Sequence, residues 1–175
     1  LRNSTGGSFL GIDSIFRRIT PQERNKLHLL WDIPIRGVDP EHNPLLAPVL
    51  GLSPAARLAV EIVCCADTEL APHIVAEVAD RLGEPADIHP AVAASVLSES
   101  GFGSTIAPRH ALIAHAVRQM LPRERAQAIY RALAPSATGF RRMWYALSGA
   151  EEWTDELAEA VDGFIAESVA ARSYA

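Results

Sequence analysis

The sequence predicts an all-α fold, an irregular multi-helix bundle of short helices, and three observations lead to this prediction. Most of the 12 prolines precede apolar residues at helical spacing. Capping residues stand beside several of them, as in Thr20-Pro21-Gln22-Glu23, where an N-cap, a proline at the first helical position and a capping-box glutamate follow one another. Finally, the chain has no sustained alternation of apolar and polar residues of the kind that indicates β-strands.

In the N-terminal part of the chain, the sequence predicts one well-capped helix between less regular segments. Residues 1–19 read as a loose arm with a short amphipathic segment, and residues 20–175 as a single helical domain. Within that domain, a capped helix is expected from Pro21 to about Trp31. An irregular connector over 33–43 and a short helix near 44–50 follow.

The central part predicts two helices separated by a break. Pro54 opens the first, which has an apolar face and ends at a break near Asp67 to Ala71. Pro72 must lie in the first turn of the second, because a proline inside a helix removes a hydrogen bond and clashes with the preceding turn. Gly83 has the position of a helix-ending glycine. A further short helix is expected from Pro90 to about Ser98.

In the C-terminal part, the sequence predicts four more amphipathic helices, the last two with apolar stripes that include large residues. Helices are expected over 108–121 and 122–133, and a third ends at Gly149. In the third helix, the stripe predicted to face the core contains Phe140, Trp144 and Leu147. Thr154 caps the last helix, whose predicted apolar stripe includes Phe164 and Ile165.

A second architecture fits the same helices. The segments Leu52-x-Pro54, Ile88-x-Pro90 and Leu121-Pro122 each begin a helix that is followed by another, at similar intervals. Such spacing is compatible with a short α-solenoid of helical hairpins. The alternative is therefore a solenoid in place of an irregular bundle.

Composition limits the classes of function. The 175-residue chain has a net charge of −5, which argues against general nucleic-acid binding. No apolar run approaches the length of a membrane span, so no membrane partner is expected. Cys64 and Cys65 are adjacent and have no other cysteine to pair with, which excludes a disulfide scaffold and favours buried thiols. A cytoplasmic location is the expectation.

One set of residues has the spacing of a possible catalytic or metal site. Glu61, Cys65, Glu69, His73 and Glu77 recur at four-residue steps, which on one continuous helix would align them. Pro72 interrupts that helix. Only His73 and Glu77 then remain one turn apart, and they are the candidate metal ligands, although a solvated His–Glu pair is the simpler interpretation. No cofactor is expected.

The same stretch resembles, in outline, the carboxymuconolactone decarboxylase and alkylhydroperoxidase superfamily. The resemblance lies in Ser53-Pro54-x-x-Arg57, an apolar helix, His73 and a small-residue helix that ends at Gly83. It departs from that family because no Cys-x-x-Cys precedes His73. The resemblance implies a small all-α enzyme, thiol- or metal-dependent, with catalytic candidates Cys65, Glu69 and His73.

The strongest surface feature is a run of arginines in residues 118–142, where Glu124 is the only acid. Arginine suits the recognition of carboxylates through its planar, bidentate fork. The candidate partner-binding residues are Arg118, Arg125, Arg131, Arg141 and Arg142. They bind an acidic protein surface, including that of a second copy, or bind an anionic ligand, or balance the acidic segments of their own chain. The leading hypothesis is a non-enzymatic helical interaction or regulatory module, oligomeric or partner-bound; the enzyme is the alternative.

Overall fold

The computed structural model describes residues 46–101, 104–152 and 154–172. The predicted arm over 1–19 and the predicted helix from Pro21 lie outside the described residues. The described chain forms helices joined by short turns and one small hairpin. In order, the elements are α1 (Ala47–Leu50), α2 (Pro54–Ala66), α3 (Pro72–Leu82), α4 (His89–Ala93), β1 (Leu97–Ser100), β2 (Thr105–Pro108), α5 (Ala111–Met120), α6 (Arg123–Leu133), a 3₁₀ turn (Ala134–Ser136), α7 (Gly139–Gly149) and α8 (Asp155–Arg172). The all-α prediction is confirmed.

Helix α2 is the centre of the core. Ser53 caps it, since its Oγ accepts a hydrogen bond of 3.3 Å from the backbone N–H of Ala56, and Pro54 occupies the first turn. From Leu58 to Ala66 every side chain on α2 is buried. The helix ends at Asp67, which has a left-handed backbone (φ 52°). The predicted break before Pro72 is therefore confirmed, and the four-residue ladder does not lie on one helix.

Six elements pack around α2, namely α1, α3, α4, β2, α5 and α6. Helix α6 also packs on α3, although the two are far apart in the sequence. In a solenoid each repeat contacts only its neighbours, so this packing corresponds to the bundle and not to the solenoid alternative.

A two-stranded antiparallel hairpin replaces part of two predicted helices. Strands β1 and β2 pair in the register Leu97↔Pro108 to Ser100↔Thr105. Ile106 also bridges to Leu70 through hydrogen bonds of 2.9 and 2.7 Å. The helix expected from Pro90 consequently stops at Ala93, and the one expected from Pro108 begins at Ala111. Ala107 precedes a proline, a position that disfavours the helical region and suits a strand.

Helix α7 presents a different face to the core from the one predicted. Tyr145 is 3% exposed, whereas Trp144 is 50% and Phe140 58% exposed. Gly149 permits this orientation, because a Cβ there would lie 2.8 Å from the backbone nitrogen of Arg131 and 3.2 Å from the carbonyl oxygen of Gln127. The glycine allows α7 to approach α6 closely along its Tyr145–Gly149 side. The prediction that the Phe140–Trp144 stripe faces the core is wrong.

Candidate functional site

The two cysteines lie inside the core on α2. Both are free and buried, whereas the sequence predicted burial of at least one of them. Burial raises the pKa of the Cys65 thiol to about 12, which outweighs the opposing effect of Arg118. Burial also raises the pKa of Cys64. Because the thiolate is the reactive form, these environments keep both thiols protonated and unreactive at neutral pH.

Glu69 connects the turn after α2 to the hairpin. Its Oε2 accepts hydrogen bonds from the hydroxyls of Ser100, at 3.1 Å, and of Thr105, at 2.8 Å. The two hydroxyls also hydrogen bond to each other. The carboxylate therefore joins both ends of the hairpin loop to the start of α3, which is a structural role.

His73 and Glu77 lie on α3, both exposed. Glu77 Oε2 accepts hydrogen bonds from Arg81, at 3.1 Å, and from Ser136, at 3.3 Å. These contacts tie α3 to the 3₁₀ turn. Within the described residues, no group of three or more His, Cys, Asp or Glu side chains is placed to hold a metal ion.

The structure separates the catalytic candidates by environment. Cys65 is buried in the core, whereas Glu69 is exposed beside the hairpin and His73 is exposed at the start of α3. No hydrogen bond among the described residues joins any two of the three. The structure therefore does not bring the three residues within hydrogen-bonding reach of one another.

Two of the candidate arginines bind carboxylates of their own chain, Arg118 at the C-terminal end of α2 and Arg125 at its middle. Arg118 donates hydrogen bonds of 2.8 Å to Asp67 Oδ1 and 2.9 Å to the carbonyl oxygen of Cys64. Arg125 donates a hydrogen bond of 3.1 Å from Nε to Glu61 Oε2 and one of 3.0 Å from Nη2 to Glu84 Oε2. The hydrogen bond from Arg125 holds the pKa of the Glu84 carboxyl below its usual range. Both guanidinium groups thus crosslink helices around the core.

Arg131 forms a third intramolecular pair, at the surface. Its Nη1 lies 2.6 Å from Glu151 Oε1 and donates a weaker bond of 3.4 Å to the carbonyl oxygen of Gly149. Both side chains of the pair are at least half exposed. The pair joins α6 to the end of α7.

Arg141 and Arg142 differ from these three arginines. Neither has an acidic side chain within ion-pair distance among the described residues. Since consecutive residues of a helix are about 100° apart, the two point to different sides of α7. Arg141 stands about 60° from Trp144, whereas Arg142 stands on the opposite side from Phe140 and Trp144.

The aromatic face of α7, defined as Phe140 and Trp144, is the main exposed apolar feature. The two rings stack with centroids 6.5 Å apart and an interplanar angle of 20°. Phe140 also contacts Phe164 of α8, with ring centroids 6.0 Å apart. The sequence showed the spacing of these aromatic residues but assigned them to the core. No sequence signal distinguishes the two faces of α7 except Gly149.

Arg141 also lines a cavity next to the aromatic face. The cavity, about 290 Å³, lies between the start of α3, the 3₁₀ turn and α7, and Glu69 and Tyr145 line it as well. Tyr145 donates a 2.6 Å hydrogen bond to the carbonyl oxygen of Ala66. Burial raises the pKa of Tyr145, and a hydrogen bond with the Arg141 side chain partly opposes this rise.

None of the helices in the described part of the chain combines the length and the apolar character that crossing a membrane requires.

Comparisons with protein-family models, with curated proteins and with solved structures find no match to this chain. Among the features described above, the exposed aromatic face beside Arg141 is the candidate functional site of this chain.

Proposed function

We propose that this chain is a non-enzymatic helical interaction module that docks an acidic protein surface on the aromatic face of α7. The observation that supports this is the exposure of two large aromatic side chains, 58% for Phe140 and 50% for Trp144, on the side of α7 that faces away from the core. Single exposed apolar residues are common on protein surfaces. Two stacked aromatic rings with a third in contact form a continuous apolar patch, which is typical of interaction sites.

The residue types also suit docking. Tryptophan and arginine are the side chains most often responsible for binding energy at protein interfaces, and an aromatic ring buries 150 to 250 Å² when it is covered. Trp144 and Arg141 are three residues apart on α7 and are therefore neighbours on its surface. A partner that covers the ring can reach the guanidinium with a second side chain.

The unpaired charge of Arg141 indicates what the partner carries. Arg118, Arg125 and Arg131 each have a carboxylate within 3.1 Å, whereas Arg141 has none among the described residues. A carboxylate from a partner would complete the same type of pair beside the aromatic face. The expected partner surface therefore combines an acidic side chain with an apolar one.

Trp144 fluorescence tests the proposal directly. The chain has three tryptophans, so Trp31→Phe and Trp153→Phe together leave Trp144 as the single emitter. The probe is a synthetic helical peptide in which aspartate and leucine recur three residues apart. We expect a saturable blue shift of the Trp144 emission, because docking removes the ring from water, and no shift with the same peptide carrying lysine instead of aspartate.

Arg141→Glu should abolish the shift, and Arg142→Glu is the matched control because it makes the same charge change on the other side of α7. The proposal is overturned if the Trp144 emission responds neither to the peptide nor to the concentration of the protein itself.

A further inference from the structure

Helix α8 carries a pair of exposed residues that complements the pair on α7. Asp162 and Ile165 are both exposed, and Ile165 retains 52% of its surface in water. They are three residues apart, as are Arg141 and Trp144, so each pair presents one charged and one apolar side chain as surface neighbours. Asp162 has no ion pair with a described residue.

From this complementarity we infer that the acidic surface that docks on α7 is helix α8 of a second copy of this chain, an inference that rests on the proposed function. In a two-fold symmetric dimer the same patch of both subunits is used, so each contact occurs twice. Asp162 of each copy then faces Arg141 of the other, and Ile165 of each copy covers the other copy's Trp144. Both halves of the contact are present in every copy.

The location of the exposed apolar residues supports a second copy. Four large apolar side chains are exposed in the described residues, and three of them, Phe140, Trp144 and Ile165, lie on α7 and α8. The Phe140–Phe164 contact joins the two helices, and Ile165 follows Phe164 directly in the chain. Asp162 lies about 160° around α8 from Phe164, on the side that faces away from α7. The remaining exposed side chain, Leu50, lies on α1.

The size of the patch sets the expected strength. A standard stable interface buries about 800 Å² on each partner, whereas two or three large side chains supply roughly half of that. We therefore expect a reversible dimer that forms as the protein concentration rises. Higher salt should weaken it, since exposed charges are screened over about 8 Å at physiological ionic strength.

Charge reversal followed by mixing tests the pairing. Arg141→Asp places two aspartates opposite each other at both contacts of a dimer, and Asp162→Arg places two arginines there. Each variant alone should dimerise at least tenfold more weakly than the wild type, as measured by sedimentation velocity. Mixed in equal amounts, the two variants restore an arginine–aspartate pair at both contacts, so the mixture should dimerise like the wild type.

The matched control is Arg142→Asp, which alters the opposite side of α7 and should leave the association unchanged. Far-UV circular dichroism of every variant verifies that helicity is retained. Rescue upon mixing cannot come from misfolding, so a failure to rescue in two well-folded variants overturns the inference.

The outcomes separate this inference from the proposed function. A wild type that stays monomeric while Trp144 still responds to the acidic peptide overturns the second copy as partner and leaves the proposed function standing. A wild type that associates without sensitivity to Arg141 or Asp162 also overturns the inference. A monomeric wild type whose Trp144 does not respond to the peptide overturns both.

Discussion

Arg125 on α6 and Arg141 on α7 belong to one run of arginines in the sequence, yet the structure gives them opposite environments. Arg125 is held between Glu61 and Glu84, and its side chain is 27% exposed. Arg141 lies beside an exposed aromatic face with no acidic partner among the described residues. Arginines that lie close together in the sequence therefore do not form one positively charged surface, because each helix directs its arginines toward different neighbours.

The position of α2 explains the difference. Its buried length brings Glu61, and Asp67 at its end, within reach of α5 and α6, so the arginines on those helices meet carboxylates from distant parts of the chain. Helix α7 packs on the outer side of α6 and on α8. Among the described residues, no carboxylate forms an ion pair with an arginine of α7.

Two neighbouring residues of α7 provide the sharpest test of which side faces the core. Tyr145→Ala should lower the free energy of unfolding by about 3–5 kcal/mol, the usual cost of truncating a large buried aromatic residue. Trp144→Ala should cost about 1 kcal/mol or less, because half of the ring is already in water. Chemical denaturation of both variants measures the difference.

If Tyr145→Ala does not fold, Tyr145→Phe serves instead. It removes only the hydroxyl, which donates a 2.6 Å hydrogen bond to the carbonyl oxygen of Ala66. We expect the free energy of unfolding to fall by about 1–3 kcal/mol. Equal effects at Trp144 and Tyr145 would contradict the orientation of α7.

The ion pairs of α6 allow a comparison within one helix. Arg125→Met leaves Glu61, which is 8% exposed, without its partner, and should cost about 2–3 kcal/mol, less than a fully buried pair. Arg131→Met is the matched control on the same helix, and should cost about 0.5 kcal/mol because both members of its pair are exposed. Urea unfolding at neutral pH separates the two. Similar losses would mean that burial does not distinguish these arginines.

The pH dependence of stability tests the Glu84 contact, which should have the smallest effect. Arg125 lowers the pKa of Glu84 in the folded state, so the folded chain holds fewer protons there than the unfolded chain. The pair therefore stabilises the fold above the unfolded pKa, and this contribution decreases as the pH falls through the lowered folded value. Wild type and Glu84→Gln should differ most at neutral pH and converge in acid, as followed by thermal unfolding. A constant difference would contradict this linkage.

Local signals predicted most of the helical boundaries in the described residues. Ser53-Pro54, Pro72 and Gly83 lie where capping chemistry placed them, because each acts through the one or two turns beside it. The hairpin was missed because its stability depends on pairing between β1 and β2 and on the bridge from Leu70. Such pairing has no counterpart in the local spacing of Ser98, Glu99 and Ser100.

The candidate site was predicted only in part. The sequence singled out Arg141, and it placed Phe140 and Trp144 on one side of a helix. It could not tell that this side faces away from the core, since a helix with apolar residues on both sides is consistent with either orientation. It also could not separate Arg141 from Arg118, Arg125 and Arg131, whose partners lie far away in the chain.

Taken alone, the amino-acid sequence determined the helical class, several helix ends and the burial of at least one of the two cysteines, because these depend on backbone chemistry and on local apolar spacing. Only the tertiary structure decided which arginines are paired and which aromatic residues are exposed. Those outcomes depend on how α2 and α6 are placed against the other helices. Gly149 illustrates the dependence: the absence of a side chain allows α7 to lie close to Arg131 and Gln127, in a packing that buries Tyr145 and exposes Trp144.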